Sequence, residues 1–189
     1  MARIGLNNFR YSILKEEGGK ATYSGAKKPA KAVSCKVSVS TASASLYADD
    51  VIAESDTAFT GGTVTIGIDE DDNQTQADLL GHTIAIEGGE LVRNANDVAP
   101  YVGFGRVVVK MVNGVYKYKV EFLCKVKFSE PSQEDSTKSE KLEFKTTELE
   151  GTIATLEDGT WSKSKTFDTQ REAITYLEGL MAASSAASA

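Results

Sequence analysis

The segment VNGVYKYKVEFLCKVKF, Val112 to Phe128, constrains the fold more than any other part of the chain. Its even positions are apolar: Tyr116, Tyr118, Val120, Phe122, Cys124, Val126 and Phe128. Its odd positions are charged, at Lys117, Lys119, Glu121, Lys125 and Lys127, with Leu123 as the exception. Successive side chains of a strand point to opposite faces, so a period of two reads as a strand with one apolar and one charged face. A strand of roughly a dozen residues is about twice the usual length. Asn113-Gly114 tolerates positive φ at both positions and predicts a tight hairpin with a strand around Val102–Val112. An apolar face this long needs a second layer to cover it.

The rest of the chain supplies that layer. AVSCKVSVS alternates, with Val33, Cys35, Val37 and Val39 on one face. The phase slips after Ser40, where a bulge or bend is expected. Asp49 to Thr57 is acidic, rich in small residues and without a period, and reads as a long excursion between strands. TVTIGID resumes alternation at Val64, Ile66 and Ile68. DDNQTQADLLG has helical character, with a cap at Asp72 or Asn73 and a stop at Gly81. TIAIEGGELV reads as a strand or hairpin, SEPSQEDSTKSE as an exposed loop, and KLEFKTTELEGTIATL as strand, with Leu142 and Phe144 in phase. Asp158-Gly159 marks a second tight turn. DTQREAITYLEGLM is the strongest helix: Thr169 and Glu172 fit a capping box, and Ala173, Ile174, Leu177, Leu180 and Met181 share one side.

These elements predict a mainly β chain, an antiparallel β-sandwich or partly closed barrel with a flanking C-terminal α-helix at about 168–181. Residues 1–29 read as an N-terminal arm or weak hairpin, 30–181 as the sandwich domain, and 182–189 as a low-complexity tail. At 189 residues with 41% hydrophobic and 25% charged, the chain affords one packed core. No apolar run approaches the ~20 residues that span a bilayer, so no membrane is expected. The start does not resemble a secretory signal. Cys35 and Cys124 lie on apolar strand faces and read as reduced core thiols. A net charge of −6 lacks the basic footprint of a nucleic-acid binder.

Catalytic chemistry finds little support. His82 is the single histidine and reads as a turn residue beside Gly81. Zinc needs three or four soft or imidazole ligands, and two cysteines and one histidine far apart do not make a set. Asp69, Asp71 and Asn73 have the opening spacing of a calcium loop. Gln74 stands where glycine is required and Leu80 where glutamate is, so the run reads as an acidic turn at a helix N-terminus. Gly103 and Gly105 in GFG complete no phosphate-binding pattern. No catalytic residue, metal ligand or cofactor is expected, and the chain does not read as an enzyme. The lysine face of the long strand reads as lysines paired to acids on neighbouring strands.

Several stretches together resemble one family: ARIGLNNFRYSIL, ASLYADDVIAES, QADLLGHTI, DVAPYVGFGRV, KVKFSEPSQEDSTKSEKLEFKT and TFDTQREAITYLEGL, in order over roughly residues 2–180. They are similar to the major tail proteins of long-tailed, non-contractile bacteriophages. The resemblance implies a structural virion protein of the phage tail, made in the bacterial cytoplasm. Its copies would close into hexameric rings, stacked into the tube through which DNA is ejected. It implies partners: the protein itself, tail-tip and tail-terminator proteins, a length-setting tape-measure protein, and DNA passing without specific binding. It implies no cofactor.

For such a tube, two segments are candidate self-assembly surfaces. One is the excursion, with Asp49, Asp50, Glu54 and Asp56 as its acids and Val51 and Ile52 as anchors. The other is the N-terminal arm, with Ile4, Leu6 and Phe9. Lys117, Lys119, Lys125 and Lys127 are expected not to dominate a lumen. Two other classes compete: a carbohydrate-binding β-sandwich module, and a secretion-system tube protein of the same fold. The first is weakened because Trp161 is the single tryptophan available for an aromatic platform.

Overall fold

The computed structural model describes residues 2–48, 51–70, 72–85, 89–132 and 146–182, with the backbone alone for Ala2, 45–48 and 51–55. The strands are β1 (Ala2–Glu17), β2 (Lys20–Tyr23), β3 (Ala32–Ala48), β4 (Val51–Ile68), β5 (Thr83–Ile84), β6 (Leu91–Val92), β7 (Tyr101–Val112), β8 (Val115–Phe128), β9 (Thr147–Ala154) and β10 (Ser162–Phe167). The helices are α1 (Asn73–Leu80) and α2 (Gln170–Leu180). Eight strands form one antiparallel sheet in the order β2-β1-β7-β8-β9-β4-β3, with β10 also on β8. β5 and β6 pair separately.

The sheet curls over itself without closing into a barrel. Phe9 and Tyr11 of β1, Val102 and Phe104 of β7, and Val64, Ile66 and Ile68 of β4 share one buried cluster, although β1 and β4 are several strands apart along the sheet. The sandwich is thus one sheet folded back, with β3 and β4 over β1 and β7. The opposite face of β7 and β8 carries a second cluster, Val107, Val120, Phe122 and Cys124 under Ala173, Leu177 and Met181 of α2. Thr169 caps α2 by accepting from the Glu172 N–H at 3.3 Å.

The long strand is not one apolar face. Val102 pairs with Val126 and Phe104 with Leu123, so β8 carries one extra residue there. This bulge reverses the phase. Val120, Phe122 and Cys124 face α2, while Val126 and Phe128 join the other cluster. Leu123, the apparent exception in the pattern, faces that other cluster from its odd position ahead of the bulge. The lysines divide the same way.

Residues 2–29 form a hairpin, Leu14–Glu17 with Lys20–Tyr23, rather than a separate arm. β1 is built into the sheet between β2 and β7. Bulges between Arg3 and Gly5 and between Asn7 and Arg10 break its alternation, which is why its sequence shows no clean period. Asn8 takes φ 54° at the second bulge. The bulge expected after Ser40 is present: Ser40 pairs with Gly61 and Thr41 with Phe59. Val33 is the extra residue of another bulge and is exposed, not inward-facing. Asn113 and Gly114 turn with φ 51° and 80° as expected. Asp72 caps α1 by accepting from the Thr75 N–H, and Gly81 ends it with φ 80°. Leu142 and Phe144 lie outside the described residues.

Gly103 and Gly105 serve packing. A side chain at Gly103 would lie 2.6 Å from the Tyr23 ring and 2.8 Å from that of Phe122; one at Gly105 would lie 2.3 Å from Leu177. Their absence of side chains lets aromatic rings and α2 settle onto the sheet.

Candidate assembly surfaces and the charged cleft

The expected excursion is a β-ribbon. β9 pairs with β4 from Gly62 to Ile68. Beyond that point Thr41–Ala48 and Val51–Phe59 pair with each other and, among the described residues, with no third strand. At ~3.3 Å per residue, eight ladder residues carry the ribbon ~26 Å past its root. Of its small residues only Thr favours strands, and Asp49 to Thr57 shows no alternation of apolar and polar residues, which is why no period announced it. At the root, Phe59 stacks on Trp161 with centroids 4.7 Å apart and planes 7° apart. That stack covers one face of the indole a carbohydrate platform would need.

The candidate surface residues separate. Asp56 is exposed on the ribbon. Val51, Ile52 and Glu54 lie on β4 within it. Asp49 and Asp50 lie outside the described residues. Ile4 is half-exposed at a β1 bulge, and Leu6 packs partly against the first cluster. Phe9 is 1% exposed and stacks edge-on against Phe104, so its side chain belongs to the core and reaches no surface.

Among the described residues the sheet leaves the outer edges of β3, β2 and β10 and part of β1 unpaired. Among the described residues, no strand pairs with the outer edge of β3. On β1, β2 covers Leu14–Glu17 and Lys27 bridges Tyr11, leaving Ala2–Arg10 unpaired on that side among the described residues. Unpaired strand edges present rows of donors and acceptors to another chain.

A cleft of about 480 Å³ opens between the folded-back layers, bordered by β3, β7, β8 and β10. Arg106 is 6% exposed at its floor. Its Nε and Nη2 donate to Glu121 Oε2 at 3.0 and 2.6 Å, and Nη1 donates to the Cys35 carbonyl at 3.3 Å. Lys119 and Arg3 reach the other oxygen of Glu121 at 2.8 and 3.2 Å. Burial pushes the Glu121 carboxyl up, but hydrogen bonds and charge from Lys119 and Arg106 prevail and hold it at about 2. Sequence reasoning missed this network. The signal was Arg106 alone among apolar residues in VGFGRVVV, since a charge inside such a run needs a partner.

The other lysines are mostly paired, though to different acids than KLEFKTTELE. Lys117 bonds Asp168, and Lys125 bonds Glu16 while lying over the Tyr101 ring. His82 is buried, not a loose turn residue. Its Nδ1 is hydrogen-bonded to Asp97 at 2.8 Å, which ties the ring to the Asn94–Asp97 turn; its Nε2 lies 2.6 Å from Glu130 without hydrogen-bond geometry. Cys35 and Cys124 are free thiols in different clusters, and burial raises both, Cys124 to about 11. Among the described residues no cluster of three His, Cys, Asp or Glu fits a metal ion. No described helix is long and apolar enough to cross a membrane.

Neither the family models nor the curated proteins compared with this chain give a match.

Proposed function

We propose that this chain is a structural protein that assembles with copies of itself into rings stacked as a phage tail tube. The observation that carries the reading is a curled sheet in which, among the described residues, β3 and the first half of β1 are among the unpaired edges, beside a protruding ribbon. A monomer gains nothing from such edges and risks aggregation. A ring of identical copies satisfies them, because a contact between two different patches of the same chain repeats until the circle closes. The resemblance of six ordered stretches to major tail proteins supports the same reading. Net negative charge suits a conduit for DNA, since adhesion to phosphates runs through released counterions and needs Lys and Arg. On this reading the tail-tip, tail-terminator and tape-measure proteins are its partners in the virion, and no step is catalytic.

The test removes the ribbon and keeps its root. Replacing residues 42–58 by Asn-Gly leaves the Thr41–Phe59 pair and the Phe59–Trp161 stack in place. The expected product is a folded monomer that no longer forms tubes. Undiminished tube formation would remove the ribbon from the account.

A further inference from the structure

Three cations stand in one row across three neighbouring strands. Arg3 of β1 pairs with Lys110 of β7, which pairs with Lys117 of β8. Paired residues share a face, so these side chains leave the same side of the sheet. Like charges directly opposite each other destabilise a sheet. Lys119 and Arg106 lie on the same face two and four residues along their strands, in the cleft. Five cations thus meet two carboxylates, Glu121 and Asp168, and Lys110 makes no ion pair among the described residues. Among the described residues this face carries more cations than carboxylates, which suits an anionic partner.

We propose that this cationic row receives the acidic ribbon of a second copy of the chain. The inference rests on the self-assembly reading and names the joint. From Val37 to Ile68 the sequence holds Asp49, Asp50, Glu54 and Asp56 and no Lys or Arg. Asp56 is exposed, and among the described residues its carboxylate meets only the N–H of the adjacent Thr57. The ion pairs that the row makes among the described residues are to Glu121 and Asp168, not to its own ribbon. The row ends at Arg3, beside the open edge of β1, so the ionic contact is continuous with the edge a neighbour would cover. Donor and acceptor surfaces lie at different places on one chain, which makes the contact head-to-tail and self-propagating. Charge complementarity of this kind sets register and partner choice.

The test is a double-mutant cycle on assembly. Arg3→Gln/Lys110→Gln/Lys117→Gln empties the row, and Glu54→Gln/Asp56→Gln removes two of the ribbon's four acids; Arg3, Lys110, Lys117 and Asp56 lie outside the buried clusters. Light scattering reads the critical concentration, and thermal melts confirm the fold. Each set is expected to raise the critical concentration about tenfold, and both together no further, because the same contact is lost. A hundredfold rise for the combination, or no rise for the row variant while the parent assembles, overturns this joint and leaves self-assembly standing. A parent that never assembles overturns both. Anisotropy with a labelled DNA duplex is the counter-test: duplex binding that the row variant abolishes makes the row a nucleic-acid face and overturns the proposal.

Discussion

Arg106 and Glu121 face each other across the β7–β8 ladder, joined by two hydrogen bonds from one guanidinium to one carboxylate oxygen. The pair spans the floor of the cleft, and the same guanidinium reaches over to the Cys35 carbonyl of β3. It therefore ties the two layers of the folded-back sheet through a polar contact at the floor of the cleft.

Glu121→Gln is expected to cost about 3 kcal/mol, because it strands a nearly buried guanidinium without its counter-charge. Urea denaturation measures it. The paired replacement Arg106→Met/Glu121→Leu should cost much less, since no charge is left behind.

Stability should fall in acid through the same carboxyl. Its value in the fold is about 2 against an ordinary 4.5. A depressed carboxyl contributes its stabilisation above the unfolded value and loses it as pH falls toward the folded one. The contribution, on the order of 2–3 kcal/mol, is full above about pH 5 and lost between about pH 4.5 and 2. Chemical denaturation across that range should show the slope, and Glu121→Gln should flatten it.

Gly103→Ala is expected to destabilise by about 1–3 kcal/mol, the usual cost of overpacking. Its methyl would meet two rings, Tyr23 and Phe122, already in edge contact at 5.4 Å. Calorimetry gives the shift, and Tyr23→Leu should relieve part of it.

Trp161→Ala should release the ribbon root more than it loosens the first cluster, against which the indole also packs. The indole is stacked on Phe59 where the ribbon leaves the sheet. Amide exchange over Thr41–Ala44 and Asp56–Phe59 should quicken relative to Val64–Ile68. Equal exchange in both segments would contradict the anchor.

The sequence disclosed what depended on short-range rules. The Asn113-Gly114 turn, the Thr169 cap, the Gly81 stop and the slip after Ser40 all formed where the residues required. Long-range consequences were less legible. The bulge in β8 opposes two residues of β7 to three, and nothing in the even-odd pattern of Tyr116 to Phe128 marks it except Leu123. Two bulges hid β1 in the same way, so Phe9 looked like a surface anchor when its ring is core. The ribbon had no period because Asp49 to Thr57 does not alternate apolar and polar residues. The Arg3–Lys110–Lys117 row needed the register of three strands, which no single segment contains.

The central claim is most directly tested by imaging the concentrated, purified protein in negative stain and by cryo-electron microscopy. The account predicts annular particles with an open centre, stacking into tubes, in which β3 of one copy lies against β1 of the next. A homogeneous population of single 20.2 kDa particles at every concentration, with no rings in any preparation, would contradict it.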